Sequence, residues 1–432
     1  MQALLSFEKA PPLAAPLRFF LTAPLFAMLA GLLLLVEGPA LLASRWSPAA
    51  LAATHLLTLG FMLQIMLGAL IQILPVVAGA NLERPLGVAR LVHLGLTLGT
   101  LMLAAGFYFS QPELLLVAVP VLVTTAAVFL WASGRALLGV PSTSPTIRGL
   151  KLALPGLAVA VGLGVLLAVA LARGLPLALP ALVDLHAGWG LGGWAGVLLA
   201  AMAYVVVPMF QLTPGYPARP SWYFPPAVLG LLLLWTAGVV LDVSAMQRLA
   251  MGGLALAGIV FSGLTLRLQN QRRRARSDAT YRYWQLGLAA TIFALCMLST
   301  ASVWPLLAEF AGWSLFFAVI LLVGGFMSFI VGMLYKIVPF LSWLHLQNCG
   351  QARVPAPAMN KILSEAAMQR QMLAHGASFA LLLAGVLWPD WLARPAGLGF
   401  VLANGWLLAN LLGAMRNYRR HAAEITAKLA VL

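Results

Sequence analysis

Stretches of about twenty apolar residues follow one another along almost the whole chain, with only a few polar or turn-forming positions between them. Wound as a helix rising about 1.5 Å per residue, such a stretch covers the roughly 30 Å hydrocarbon layer of a bilayer. With 62% hydrophobic and 9% charged residues, the 432-residue chain has too little polar surface to clothe a soluble fold. Lipid offers the backbone no hydrogen-bond partner, so each stretch must satisfy its own amides as a helix. The sequence predicts an all-α polytopic protein of about twelve spans, at 17–42, 48–75, 86–109, 113–137, 149–173, 179–210, 223–241, 244–267, 281–303, 309–340, 369–389 and 395–415. No small-residue cleavage pattern follows the first stretch, which is therefore counted as a span. The whole of 1–432 reads as one integral membrane domain.

Charge sets the sidedness. With both termini cytoplasmic, the outer side carries Arg45, Arg173, Arg248 and Arg394 against Glu37, Glu113, Asp184, Asp242, Glu309 and Asp390, a net of −2. The remaining +17 of the chain's +15 total falls inside, as the positive-inside rule requires. The basic run Gln271-Arg-Arg-Arg-Ala-Arg276 belongs to that inner face and suits anionic lipid headgroups. No aromatic-rich soluble module accompanies it, which argues against nucleic acid. The two cysteines, Cys296 and Cys349, lie at different depths, too far apart to bridge, and neither belongs to a paired-cysteine metal motif.

Three segments end alike: Gly68-Ala-Leu-Ile71-Gln-Ile-Leu-Pro75, Ala201-Met-Ala-Tyr204-Val-Val-Val-Pro208 and Gly332-Met-Leu-Tyr335-Lys-Ile-Val-Pro339. Each has a small residue seven before proline, a bulky one four before and a hydrophobic one two after. They fall on the second, sixth and tenth spans, which predicts three pseudo-repeated four-helix units at roughly 17–137, 149–267 and 281–415. Loops are short. Within the longest interruption, about 345–368, the part from Met359 to Met368 reads as a short surface helix at the inner headgroups, and so does the tail from Asn417. All eleven Asp and Glu residues fall at span ends or in loops, which counts against a transporter coupled to an ion held by a mid-membrane acid. P-loop, zinc-protease, serine-hydrolase and dinucleotide motifs are absent.

Chemistry then rests on the histidines. His55 opens the second span and His186 the sixth, both near the outer face, 20 and 22 residues before their prolines. On an ideal helix His55, Met62 and Met66 share one face, so an imidazole with two thioethers is available to haem iron or copper. Gly188, Gly192 and Gly196 make a smooth stripe below His186; it suits either a flat macrocycle or close helix packing. Asp184 stands either as an orienting carboxylate for His186 or as a helix-N-terminal acid. An inner group of His93, His345 and His375 offers a second metal or haem site. Lys336, with Gln72 at the matching place before Pro75, lies within its span and either faces a cavity or snorkels to the headgroups.

Twelve helices in three four-helix units, with histidines on the second and sixth, resemble subunit I of the haem–copper oxidases. The string His55-Leu-Leu-Thr-Leu-Gly60-Phe61, with Gly68 and Pro75, is more similar to the NnrS-type membrane proteins, a haem- and copper-containing family tied to nitric oxide metabolism and stress. The resemblance implies the oxidase-like fold, His55 as a haem ligand and His186 as a metal or haem ligand. The oxidase pattern also needs histidines on the seventh and tenth spans. Tyr223–Leu241 has none, and the tenth span reaches only His345. Oxygen reduction to water is therefore not implied. The expectation is a haem-binding, alternatively copper-binding, protein of a bacterial-type inner membrane, in contact with lipid and open to a partner subunit or a second copy. Its rivals are a small-solute or metal permease and a cofactor-free assembly subunit.

Overall fold

The computed structural model describes residues 11–273, 276–351 and 353–431; Arg274 and Ala275 of the basic run lie outside them. Among the described residues the secondary structure is helical, and twelve helices are long and apolar enough to cross a membrane. They are Ala14–Glu37, Pro48–Ala78, Pro85–Tyr108, Pro112–Leu138, Pro145–Arg173, Leu179–Gln211, Ala218–Val240, Ser244–Asn270, Ala279–Val303, Trp313–Cys349, Glu365–Leu387 and Pro389–Leu429. The chain is a multi-pass all-α membrane protein.

The sequence punctuates these helices. Ser47, Ser144 and Ser364 accept the backbone N–H three residues on, and Pro48 and Pro145 follow with φ already set for a first turn. Gly38 and Gly174, at φ +59° and +64°, end the first and fifth spans in a conformation that side chains resist. Two expected surface helices are different in kind. Of 345–368, the residues through Cys349 belong to the tenth helix and those from Glu365 to the eleventh; among the described residues between them lies the short turn Met359–Ile362, and Ser364 caps the eleventh span. The tail is continuous with the twelfth helix, whose 41 residues rise about 60 Å and outrun the hydrocarbon layer.

Contacts divide the chain into two compact units, one of Leu70–Ala275 with Leu288–Trp313, the other of Pro12–Ala69, Arg276–Gly287 and Ser314–Leu432. The division cuts through the second and ninth spans and does not follow the repeat boundaries.

The repeat appears instead in the helices themselves. The second, sixth and tenth spans each contain a wide π-helical segment, Leu56–Leu63, Trp189–Gly196 and Val319–Met327. These begin 19, 19 and 20 residues before Pro75, Pro208 and Pro339. The same three spans have the most buried apolar windows, 83, 56 and 61%, against 50% or less elsewhere.

The small residue seven before each proline has a structural use. A Cβ on Gly68 would stand 2.8 Å from Phe19 Cβ of the first span, and one on Gly332 2.7 Å from Tyr283 Cβ of the ninth. In the middle copy the roles are exchanged: Ala201 keeps its methyl, and Gly149 of the fifth span makes the room. A second close approach lies further out, Phe26 on Gly60 and Gly156 on Gly193. These approaches are seven residues apart on the first and fifth spans but eight apart on the second and sixth. The wide turns supply the extra residue.

Candidate functional site

In the unit that holds the outer half of the second span, His55 ends the regular helix and Leu56 begins the wide segment. Its half-buried imidazole is tied by Nδ1 to the Leu51 carbonyl, 2.8 Å away. A carbonyl only accepts, so Nδ1 carries a proton, which in a neutral ring puts the lone pair on Nε2. Met62 is buried and Met66 half-buried on the same helix. The wide turns fall between His55 and Met62, so the seven-residue spacing no longer sets the two on one face.

In the other unit His186 repeats this tautomer by a different route. Its Nδ1 lies 2.9 Å from the carbonyl of Ala160 on the fifth span, which again leaves the lone pair on Nε2. The ring lies over Gly164, where a Cβ would stand 3.0 Å from His186 Cε1. The glycine stripe below is occupied by protein: Trp235 fills the space over Gly188 and Leu232 covers Gly192. Helix packing therefore accounts for Gly188 and Gly192, while a Cβ on Gly196 would meet only Leu191 of its own helix. Trp189 donates to Thr236 Oγ1 at 3.0 Å and closes the same contact. Asp184 is half-buried two residues before His186.

The inner histidines are not one group. His93 is half-buried in the third span and belongs to the unit of His186. In the other unit His375 is buried, with Nε2 3.0 Å from Ser328 Oγ at the end of the third wide segment. His345, near the inner end of the tenth span, has Tyr418 Oη 3.2 Å and Cys349 Sγ 3.9 Å from its Nδ1. Among the described residues no three His, Cys, Asp or Glu side chains gather closely enough to cage a metal.

Lys336 pairs with an acid just before the ninth span. Its Nζ is 2.7 Å from Asp278 Oδ2, while Asp278 Oδ1 accepts the N–H of Tyr281 and caps the ninth span. Gln72, at the matching place, is buried, and its Oε1 has no partner among the described residues. The repeated position four before proline also diverges. Tyr335 is buried; it donates to Gln371 Oε1 at 2.9 Å and accepts from Asn410 Nδ2 at 2.9 Å. Tyr283 donates to the same Gln371 oxygen at 2.5 Å. Tyr204 instead packs edge-on against Tyr216, whose hydroxyl lies 2.9 Å from Thr265 Oγ1. Burial pushes the Tyr216 hydroxyl well above its usual pKa, so it stays neutral.

Comparison with protein families and with curated proteins finds no match to this chain. Ala160, Gly164 and Asp278, the groups that set His186 and Lys336, escaped the sequence reading. Two act through a backbone carbonyl or a missing side chain, and the third lies 58 residues from its partner.

Proposed function

We propose that this protein binds haem near the outer face of a bacterial-type inner membrane, with His55 and His186 each a residue that would offer nitrogen to iron, and serves nitric oxide or respiratory metabolism. One observation carries the reading: both rings are held through Nδ1 by a backbone carbonyl, which fixes each ring's orientation and makes Nε2 the nitrogen that would ligate iron. The two anchors are independent, one within the helix and one from a neighbouring span. A metal caged by protein groups alone needs three or four side chains, whereas haem brings its own nitrogens and asks the chain for one or two. This favours haem, with copper the alternative at the same histidines. When bound, haem would supply an iron that takes up small diatomic gases and exchanges single electrons. The chain's part is to present Nε2 and to fix each ring's orientation through the carbonyls of Leu51 and Ala160.

The test is an absorption spectrum of the purified full chain, as isolated and after adding haem. A Soret band lost in His55→Ala or His186→Ala, with helical content unchanged, is the expected result. Folded protein that stays colourless with added haem would overturn the proposal and return the permease and assembly-subunit readings.

A further inference from the structure

His345 and Cys349 stand four residues apart at the inner end of the tenth span, the helical spacing that turns two side chains to one face. Cys349 Sγ is 3.9 Å from His345 Nδ1, and the hydroxyl of Tyr418, on the twelfth span, is 3.2 Å from the same nitrogen. Sulfur, nitrogen and oxygen thus meet at one place within one compact unit. All three residues are half-buried, so the place keeps an opening to its surroundings.

The distance suits a shared ion. Zinc lies about 2.3 Å from a thiolate and about 2.0–2.1 Å from an imidazole, so the two donors on one tetrahedral ion are roughly 3.5 Å apart, and about 4.4 Å apart if collinear. The observed 3.9 Å falls between these limits. We propose that Cys349, His345 and Tyr418 form a binding site for a thiophilic d10 cation, Cu⁺ or Zn²⁺, on the cytoplasmic side.

Hard ions do not suit it. Calcium and magnesium take carboxylate and carbonyl oxygens, and no carboxylate joins a metal-type group here among the described residues. The strongly basic inner face also repels cations, so retention must come from the soft sulfur and nitrogen. Two such ligands with a tyrosine oxygen fall short of the closed four-ligand set of a structural zinc, which makes the ion exchangeable. A reducing cytoplasm keeps the thiol available. Neither His55 nor His186 takes part, so the site stands apart from the haem proposal.

The test uses the full chain in detergent, reduced and without added haem, titrated with Cu⁺ or Zn²⁺ alone against a chromogenic chelator. The wild type and Cys296→Ser should hold one equivalent. Affinity should fall at least about tenfold in Cys349→Ser and in His345→Ala, and a few-fold in Tyr418→Phe. The two titrations decide between the ions. Bound metal should also slow alkylation of Cys349 in the unmutated protein, a readout that needs no variant to fold. No stoichiometric binding, binding that survives Cys349→Ser, or unprotected Cys349 would overturn the proposal.

Discussion

Lys336 illustrates how a single intramembrane charge is made tolerable. Its ammonium group meets Asp278 at 2.7 Å, with the two side chains 20% and 9% exposed, and Asp278 also caps the start of the ninth span. Removing Lys336 takes from Asp278 its 2.7 Å ion-pair partner, whereas removing both charges leaves no such loss. Lys336→Met should therefore destabilise by on the order of 3 kcal/mol, and adding Asp278→Asn should recover most of that. Melting of the detergent-solubilised variants checks this; equal losses in the single and double variants would refute it. The sequence could mark Lys336 as unusual, but its partner lies 58 positions away in a loop-edge acid. The histidines were likewise visible as residue types, while their tautomers were not. Those depend on the carbonyls of Leu51 and Ala160, and a backbone carbonyl leaves no letter in a sequence.

Among the helices, the repeat was legible and its meaning was not. The proline-ended segments located the second, sixth and tenth spans, yet nothing in their letters announced the π-helical segments upstream. Such turns arise when amides bond five residues back, an outcome of packing that varied apolar sequences accept. The small residue seven before proline marks where the preceding helix crosses, a contact visible only with both helices present. This gives a sharp expectation for Gly332→Ala. Its methyl would press on Tyr283, which is buried and held by Gln371, so the variant should lose roughly 1–3 kcal/mol. At Gly263 on the eighth span a Cβ meets nothing within 4 Å, and alanine there should be neutral or stabilise by up to about 1 kcal/mol. Melting temperatures of the two variants, measured side by side, would decide; equal values would dismiss the crossing argument.

For the whole molecule, hydropathy and charge together fix more than either alone. Among the described residues twelve helices are long and apolar enough to cross, an even number, and the excess of arginine on one side argues that this side is cytoplasmic. Contacts within each unit agree with the alternation of directions. Arg394, at the outer start of the twelfth span, lies against Gly38 at the outer end of the first. Arg148, at the inner start of the fifth, donates to the Trp222 carbonyl at the inner start of the seventh. Glu83 and Arg135 pair at the inner ends of the third and fourth spans, 3.5 Å apart. The arrangement predicts opposite labelling of two loop positions in a Cys296→Ser, Cys349→Ser background. Leu175→Cys, in the loop after the fifth span, should react in intact cells with a maleimide that cannot cross the membrane holding the protein. Thr143→Cys, in the loop before that span, should react only once the membrane is opened. Both residues are exposed, so reactivity reports side and not burial. The reverse pattern would invert the chain and move His55 and His186 to the cytoplasmic side, while labelling of both in intact cells would mean that one of the twelve helices does not cross.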